Sequence, residues 1–222
     1  MSTAPADLDL IERLARLYTA VVGDILDRRG HTNQVMHPRI KALWPEAKLA
    51  GRCLPVACKQ VFEPPTGSPY TGLLESVEAI APGDIYVATV PDGLIGAAWG
   101  ELLSTAARGS GGRGAVIDGS ARDCSQTRSM GFPLFAANRC PADSRGRITV
   151  DRFNIPIECG GVIVNPGDYI LGDWDGLVVL PPELAESVVS EAEEKAAGET
   201  DVRAMLLAGE SVSEVFRKTG IL

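Results

Sequence analysis

Histidine is scarce in this chain: among 222 residues only His31 and His37 carry an imidazole. A histidine-rich zinc site is thereby excluded. None of the five cysteines (Cys53, Cys58, Cys124, Cys140 and Cys159) has zinc-like or CxxC spacing. Their odd number argues against a disulfide framework and for a reducing compartment. No stretch approaches the run of about 20 apolar residues that spans a bilayer, so no membrane partner is expected. The opening MSTAPADLDLIERLARL lacks the basic start and apolar centre of a secretion signal, and a cytoplasmic protein is expected. Basic residues are also in deficit. Lys and Arg total 21 against 29 Asp and Glu, a formal net charge of −8, which opposes nucleic-acid binding as the main task. There is no GxSxG for a serine nucleophile, no GK[ST] for a Walker loop and no long acidic EF-hand loop.

What remains is an ordinary globular composition, 45% apolar, with no visible linker, and it reads as one domain over residues 1–222. Residues 1–30 place Leu10, Leu14, Leu17, Val21, Ile25 and Leu26 at helical spacing, with Thr19 as the expected N-cap of a second helix and Gly30 as its stop. KLAGRCLPVACKQV reads as a strand, FEPPTGSPYTG as a loop and LLESVEAI as a short helix. APGDIYVATV and NPGDYILGD each launch an apolar run from a Pro-Gly turn, an echo too short to define a repeat. Several strands follow from GRITV to LVVLP, and residues 183–222 supply polar, amphipathic helices. The fold class is α/β: helices open and close the chain, strands fill the middle, and their order is mixed rather than alternating.

The densest stretch is GSGGRGAVIDGSARD, Gly109 to Asp123. It contains a GxGxxG, but a dinucleotide fingerprint runs strand, glycine turn, helix. Here the glycines follow a helix and precede a strand, so an anion would meet the negative end of a helix dipole. The glycines therefore serve a tight helix-to-strand turn, with Gly109 as the expected C-cap. The strand delivers Arg122 and Asp123. In extended chain these neighbours point apart; in a turn they converge on a ligand. The residues alone are equally compatible with a solvated surface pair.

VPDGLIGAAWGE, Val90 to Glu101, has the opposite polarity. It reads as a glycine-containing loop from a strand to a helix start, where free N–H groups attract carboxylates or phosphates. A simple capped loop is the bland alternative. A hard cation held by carboxylates and waters fits the composition. Cys124 beside Asp123 reads as an inert thiol, GDWDG as a turn, and the glutamates of ESVVSEAEEKAAGE as a solvated helix face.

Together, AAWGELLSTAARGSGGRGAVIDGSARD resembles the RraA-like family, which includes the class II 4-hydroxy-4-methyl-2-oxoglutarate/4-carboxy-4-hydroxy-2-oxoadipate aldolases. TAVVGDILDRRG, KLAGRCLPV, APGDIYVA and IPIECGGVIVNPGDYILGDWDGLVVLP extend the resemblance over most of the chain. It implies a single layered α/β/α domain with a mixed central sheet, assembled as a homotrimer or homohexamer with sites between subunits. It also implies a Mg²⁺- or Mn²⁺-dependent lyase that cleaves 4-hydroxy-2-oxo acids to pyruvate and decarboxylates oxaloacetate. Some relatives instead bind and inhibit ribonuclease E, so a non-catalytic regulator is the alternative. No methyl-donor motif supports the methyltransferase label that some members carry.

Carried over by motif, Asp123 is the direct metal ligand. Arg122 contacts the 2-oxo acid and stabilises enolate charge, and Glu101 acts through a metal-bound water. The backbone of Gly96, Ala97, Ala98, Trp99 and Gly100 binds the pyruvyl carboxylate. One position departs: the family's R-D-x-x-(E/D) reads RDCSQ here, so Gln126 can hydrogen-bond a metal-bound water but brings no charge. The chemistry is coherent, because cleavage beside a tertiary alcohol and decarboxylation of oxaloacetate leave the same pyruvate enolate. A divalent ion and Arg122 would stabilise that charge, and Glu101 would take the alcohol proton through water.

Overall fold

In the opening segment the leucines and valines recur every three to four residues, and the structure turns that pattern into two buried-face helices. The computed structural model describes residues 5–63 and 67–221. Pro5–Arg16 forms α1 and Thr19–Arg28 forms α2, and all six apolar positions expected to face a core are buried. The elements that follow are β1 (Lys41–Ala42), β2 (Leu49–Gln60), α3 (Thr71–Glu78), β3 (Asp84–Thr89) and β4 (Ala97–Trp99). Next come α4 (Glu101–Gly109), β5 (Gly114–Ala121), α5 (Cys124–Ser129) and β6 (Leu134–Arg139). The chain continues through β7 (Ile148–Phe153), β8 (Ile157–Cys159), β9 (Val162–Val164), β10 (Tyr169–Gly172) and β11 (Leu177–Leu180), and closes with α6 (Pro182–Leu207) and α7 (Val212–Thr219).

Nine strands make one mixed sheet. The path runs β1-β6-β5-β3-β2-β10-β11, with β4 added beside β5 and β7 beside β2. Pairings among β2, β3, β4, β5 and β6 are parallel, whereas β1, β7, β10 and β11 join antiparallel. Parallel strands covered on both sides read as continuous apolar runs, as IYVA and AVI do. On β10 and β11 alternate residues divide between two cores. Tyr169, Leu171, Val178 and Leu180 pack with α1, α2 and α6, while Ile170, Leu177 and Val179 face the main core. Of the other helices, α4 and α5 lie against the parallel strands β5 and β6, α3 packs on β7 and α4, and α7 packs on α6, while the β8–β9 hairpin covers part of the main core.

Two caps differ from the sequence expectation. Thr19 is the first helical residue of α2 rather than its N-cap, which is Tyr18 without a side-chain bond. The cap comes instead from across the molecule: the Thr19 N–H and hydroxyl donate to the Asp173 carboxylate at 2.8 and 2.7 Å. Similarly, α4 ends with Ser110 as C-cap. Gly111, at φ +83°, is the left-handed residue that turns the chain toward β5. The helix-to-strand polarity of the glycine cluster stands.

Candidate active site

β5 lies between β3 and β6, and its segment Gly114–Asp118 is fully buried. Its pairing with β6 shifts register between Ile117 and Ser120, and the chain then breaks out of the sheet. Asp123 adopts φ +53°, ψ +33° and starts α5. A left-handed aspartate costs conformational energy, and such strain concentrates at functional sites. The turn has a direct result: Arg122 and Asp123 converge instead of pointing apart, with Arg122 Nε 3.5 Å from Asp123 Oδ2.

The segment before α4 is not the loop expected from its glycines. Ala97–Trp99 is strand β4, paired in parallel with β5. The Trp99 carbonyl accepts the Arg122 N–H at 2.9 Å. Its indole is buried beside Tyr86, ring centroids 4.5 Å apart, and donates from Nε1 to Ser104 Oγ at 2.8 Å. Gly100 then caps α4 in extended conformation. A Cβ on Gly100 would stand 2.7 Å from Asp123 Oδ2 and 3.1 Å from Arg122 Cγ. As placed, the Arg122–Asp123 pair fills the space that a Cβ on residue 100 would occupy. The first-turn N–H groups of that helix have no carbonyl partner within it, and they carry the positive end of its dipole.

These features share a cavity of about 330 Å³. Ala97, Ala98, Trp99, Gly100, Arg122 and Asp123 border it, and so do Tyr70, Asp143 and Ser144, which sequence reasoning did not identify. Asp143 follows β6 in a CPADSRG loop, and no spacing in the sequence signals its approach to Arg122. Its Oδ2 lies 3.7 Å from Arg122 Nη1 and accepts the Tyr70 hydroxyl at 2.7 Å. Partial burial alone would raise the Asp143 pKa. The hydrogen bonds from the Tyr70 hydroxyl and the Arg145 N–H, with the Arg122 charge, outweigh it and hold the carboxyl below the usual range.

Other expected residues sit differently. Gly96 is outside the cavity wall, and the Ala97 N–H is already bonded to the Ala142 carbonyl at 2.8 Å. Glu101 is half-buried and not on the wall; its carboxylate accepts the Thr105 hydroxyl at 2.9 Å. Gln126 is exposed on α5 and likewise off the wall. The Cys124 thiol is pushed up by burial, with Arg139 opposing and Asp123 reinforcing, in keeping with an inert thiol.

Comparison with known proteins shows the family. Residues 19–179 match the model of the RraA-like family, described as Aldolase/RraA. The chain belongs to that family. A protein of Halalkalibacterium halodurans named "Putative 4-hydroxy-4-methyl-2-oxoglutarate aldolase" is 31% identical over 192 residues, 86% of each chain. An uncharacterized protein of Methanocaldococcus jannaschii is 37% identical over 119 residues, 54% of this chain and 57% of its own length. The matched part thus spans little more than half of that archaeal relative. The crystal structure of RraAS2 from Streptomyces coelicolor superposes with a TM-score of 0.77 at 26% identity, covering 88% of this chain and 97% of the other. It is described as an unusual member of the RNase ES inhibitor RraA family.

The donor set of the cavity bears on whether it can hold a metal. Among the described residues no group of three or more His, Cys, Asp or Glu side chains is gathered to hold an ion. What fits is a hard cation bound through one carboxylate, with water and substrate oxygens completing its shell, as Mg²⁺ is often held. Asp123, 44% exposed and bordering the cavity, supplies such a carboxylate. No helix of the described chain is long and apolar enough to cross a membrane.

Proposed function

We propose that this chain is a divalent-metal-dependent carbon–carbon lyase. It would cleave 4-hydroxy-2-oxo acids to pyruvate, decarboxylate oxaloacetate, or do both, through the enolate of pyruvate. The observation that carries the reading is the convergence of Arg122, Asp123 and the N-terminus of α4 on one cavity. Asp123 would hold Mg²⁺ or Mn²⁺, which when bound supplies Lewis-acid stabilisation of the developing oxyanion. The first-turn N–H groups of α4 orient the substrate carboxylate. Arg122 places fixed positive charge where the enolate oxygen develops, and Asp143 with Tyr70 holds the guanidinium in place. Glu101, next to Gly100 though off the cavity wall, would take up the alcohol proton through an intervening water. The same reading includes assembly into a homotrimer or homohexamer with sites between subunits.

The deciding experiment follows exchange of pyruvate methyl protons for deuterium, with Mg²⁺ or Mn²⁺ and again with EDTA. Pyruvate release from oxaloacetate and from 4-hydroxy-4-methyl-2-oxoglutarate is measured in parallel. Arg122→Ala runs beside the wild type, because free metal ions decarboxylate oxaloacetate unaided. Metal-dependent exchange that the variant loses is the expected result. Exchange no faster than in Arg122→Ala overturns the reading. It would favour the second one, a regulator that binds a ribonuclease, which the likeness to a described RNase ES inhibitor relative supports. A pull-down with ribonuclease would then retain a stable complex.

A further inference from the structure

Behind the cavity wall a series of buried polar contacts runs from α4 to α3. Ser104, the fourth residue of α4, is fully buried. Its hydroxyl accepts the Trp99 indole N–H at 2.8 Å and donates to the Gly100 carbonyl at 2.9 Å. The Ser104 N–H reaches the same carbonyl at 3.0 Å. A helical serine often returns its proton to the carbonyl four residues back. Here the same oxygen also takes the indole proton, which ties the first turn of α4 to a side chain of β4. The Trp99 ring lies against Tyr86. The Tyr86 hydroxyl is 2.9 Å from Ser76 Oγ, and Ser76 donates to the Leu73 carbonyl of α3 at 2.8 Å. Ser76, Tyr86, Trp99 and Ser104 are each at most 1% exposed. The series is therefore complete within one protomer, whatever a neighbouring subunit adds to the cavity.

Gly100 is where these contacts meet the site. Its carbonyl is held twice by Ser104. The place of its missing Cβ is filled by Asp123 and Arg122, and it is the N-cap of α4. One residue earlier, the Trp99 carbonyl accepts the Arg122 N–H at 2.9 Å. Without the Ser104 hydroxyl the indole N–H would be buried with no acceptor, a cost that a protein relieves by shifting the group toward another partner. Trp99 and Gly100 are joined through the backbone, so that shift moves the start of α4 against Arg122 and Asp123. The first-turn N–H groups travel with the helix, whereas the guanidinium and the Asp123 carboxylate belong to the end of β5.

We infer that Ser104 is a positioning residue for the reaction. By bridging the Trp99 indole and the Gly100 carbonyl, it fixes the start of α4 against the Arg122–Asp123 pair. This rests on the lyase reading and adds to it a residue that touches neither substrate nor metal.

The test follows exchange of pyruvate methyl protons by the full chain with Mg²⁺, well below the thermal midpoint of each variant, so that all of the protein is folded. Ser104→Ala is expected to lower kcat about tenfold, short of the roughly hundredfold that misplacement by about an ångström can cost. KM is expected to stay near the wild-type value, because the carboxylate contacts move with the helix and the loss falls on the transition state. Trp99→Phe removes the same bond from its other end and is expected to lower kcat alike. The double variant is expected to lose no more than either single one, since groups that act as a unit are not additive. In the metal-free chain, the Trp99 indole N–H of Ser104→Ala is expected to exchange with deuterium faster than in the wild type. An unchanged kcat beside a lowered thermal midpoint marks a merely structural serine and overturns the inference. Losses that multiply in the double variant overturn it too, as does an unchanged indole exchange rate. If Ser104→Ala does not fold, Trp99→Phe decides by itself. The two proposals fail distinguishably. Wild-type exchange that both variants keep at full kcat overturns this inference alone. Absence of metal-dependent exchange in the wild type overturns the lyase reading, and this inference with it.

Discussion

Gly100 shows how little separates a working site from a blocked one at the scale of a residue. The absent Cβ is the space that the Asp123 carboxylate and the Arg122 side chain occupy. Gly100→Ala must push both aside, and displacement of about an ångström at a reacting centre can cost about a hundredfold in rate. Pyruvate-exchange kinetics on this variant are expected to show a fall of that order, while its thermal midpoint stays close to the wild type because the backbone is extended and admits alanine. Unchanged exchange would show that the pair need not rest over α4. The sequence displayed Gly100, Arg122 and Asp123 as a motif. It gave no sign of Tyr70 or Asp143, because each lies in a Pro- and Gly-rich connection whose path depends on the sheet beneath it.

At the scale of an element, caps and turns are where local sequence and tertiary structure divide the work. The two Pro-Gly-Asp turns are locally determined. In each, the aspartate accepts the N–H three residues back, Ala81 to Asp84 at 2.9 Å and Asn165 to Asp168 at 2.7 Å. They flank β2, where Arg52 pairs with Asp84 on one side and Tyr169 on the other. The cap of α2 is not local. Asp173, 154 positions away in sequence, accepts both Thr19 donors and the Asp175 N–H. Asp173→Ala is expected to lower unfolding free energy by about 1–2 kcal/mol, the usual cost of losing an N-cap acceptor, read from urea denaturation midpoints. A loss below about 0.3 kcal/mol would mean that water replaces the carboxylate. Strand β4 was hidden for a related reason: GLIGAAWG carries loop-forming glycines, and only pairing with the end of β5 makes Ala97–Trp99 a strand.

For the whole molecule, apolar periodicity determined the helical ends and the strand-rich middle, and the family motif fixed the mixed α/β architecture. Beside the site, Ile95 and Leu102 are 73% and 77% exposed, apolar surface that association would cover. Light scattering on the purified chain is expected to give three or six protomers, and a monomer across the concentration range would overturn that part of the proposed assembly. By itself the sequence determined the buried strand β5, the polarity of its glycine turn and the Arg-Asp pair at its end, since each follows from contiguous residues and local backbone preference. Tertiary structure alone decided that the pair converges over Gly100 and that Asp143 and Tyr70 join it. Those contacts arise between distant segments and depend on the register of strands whose side chains carry no record of their neighbours.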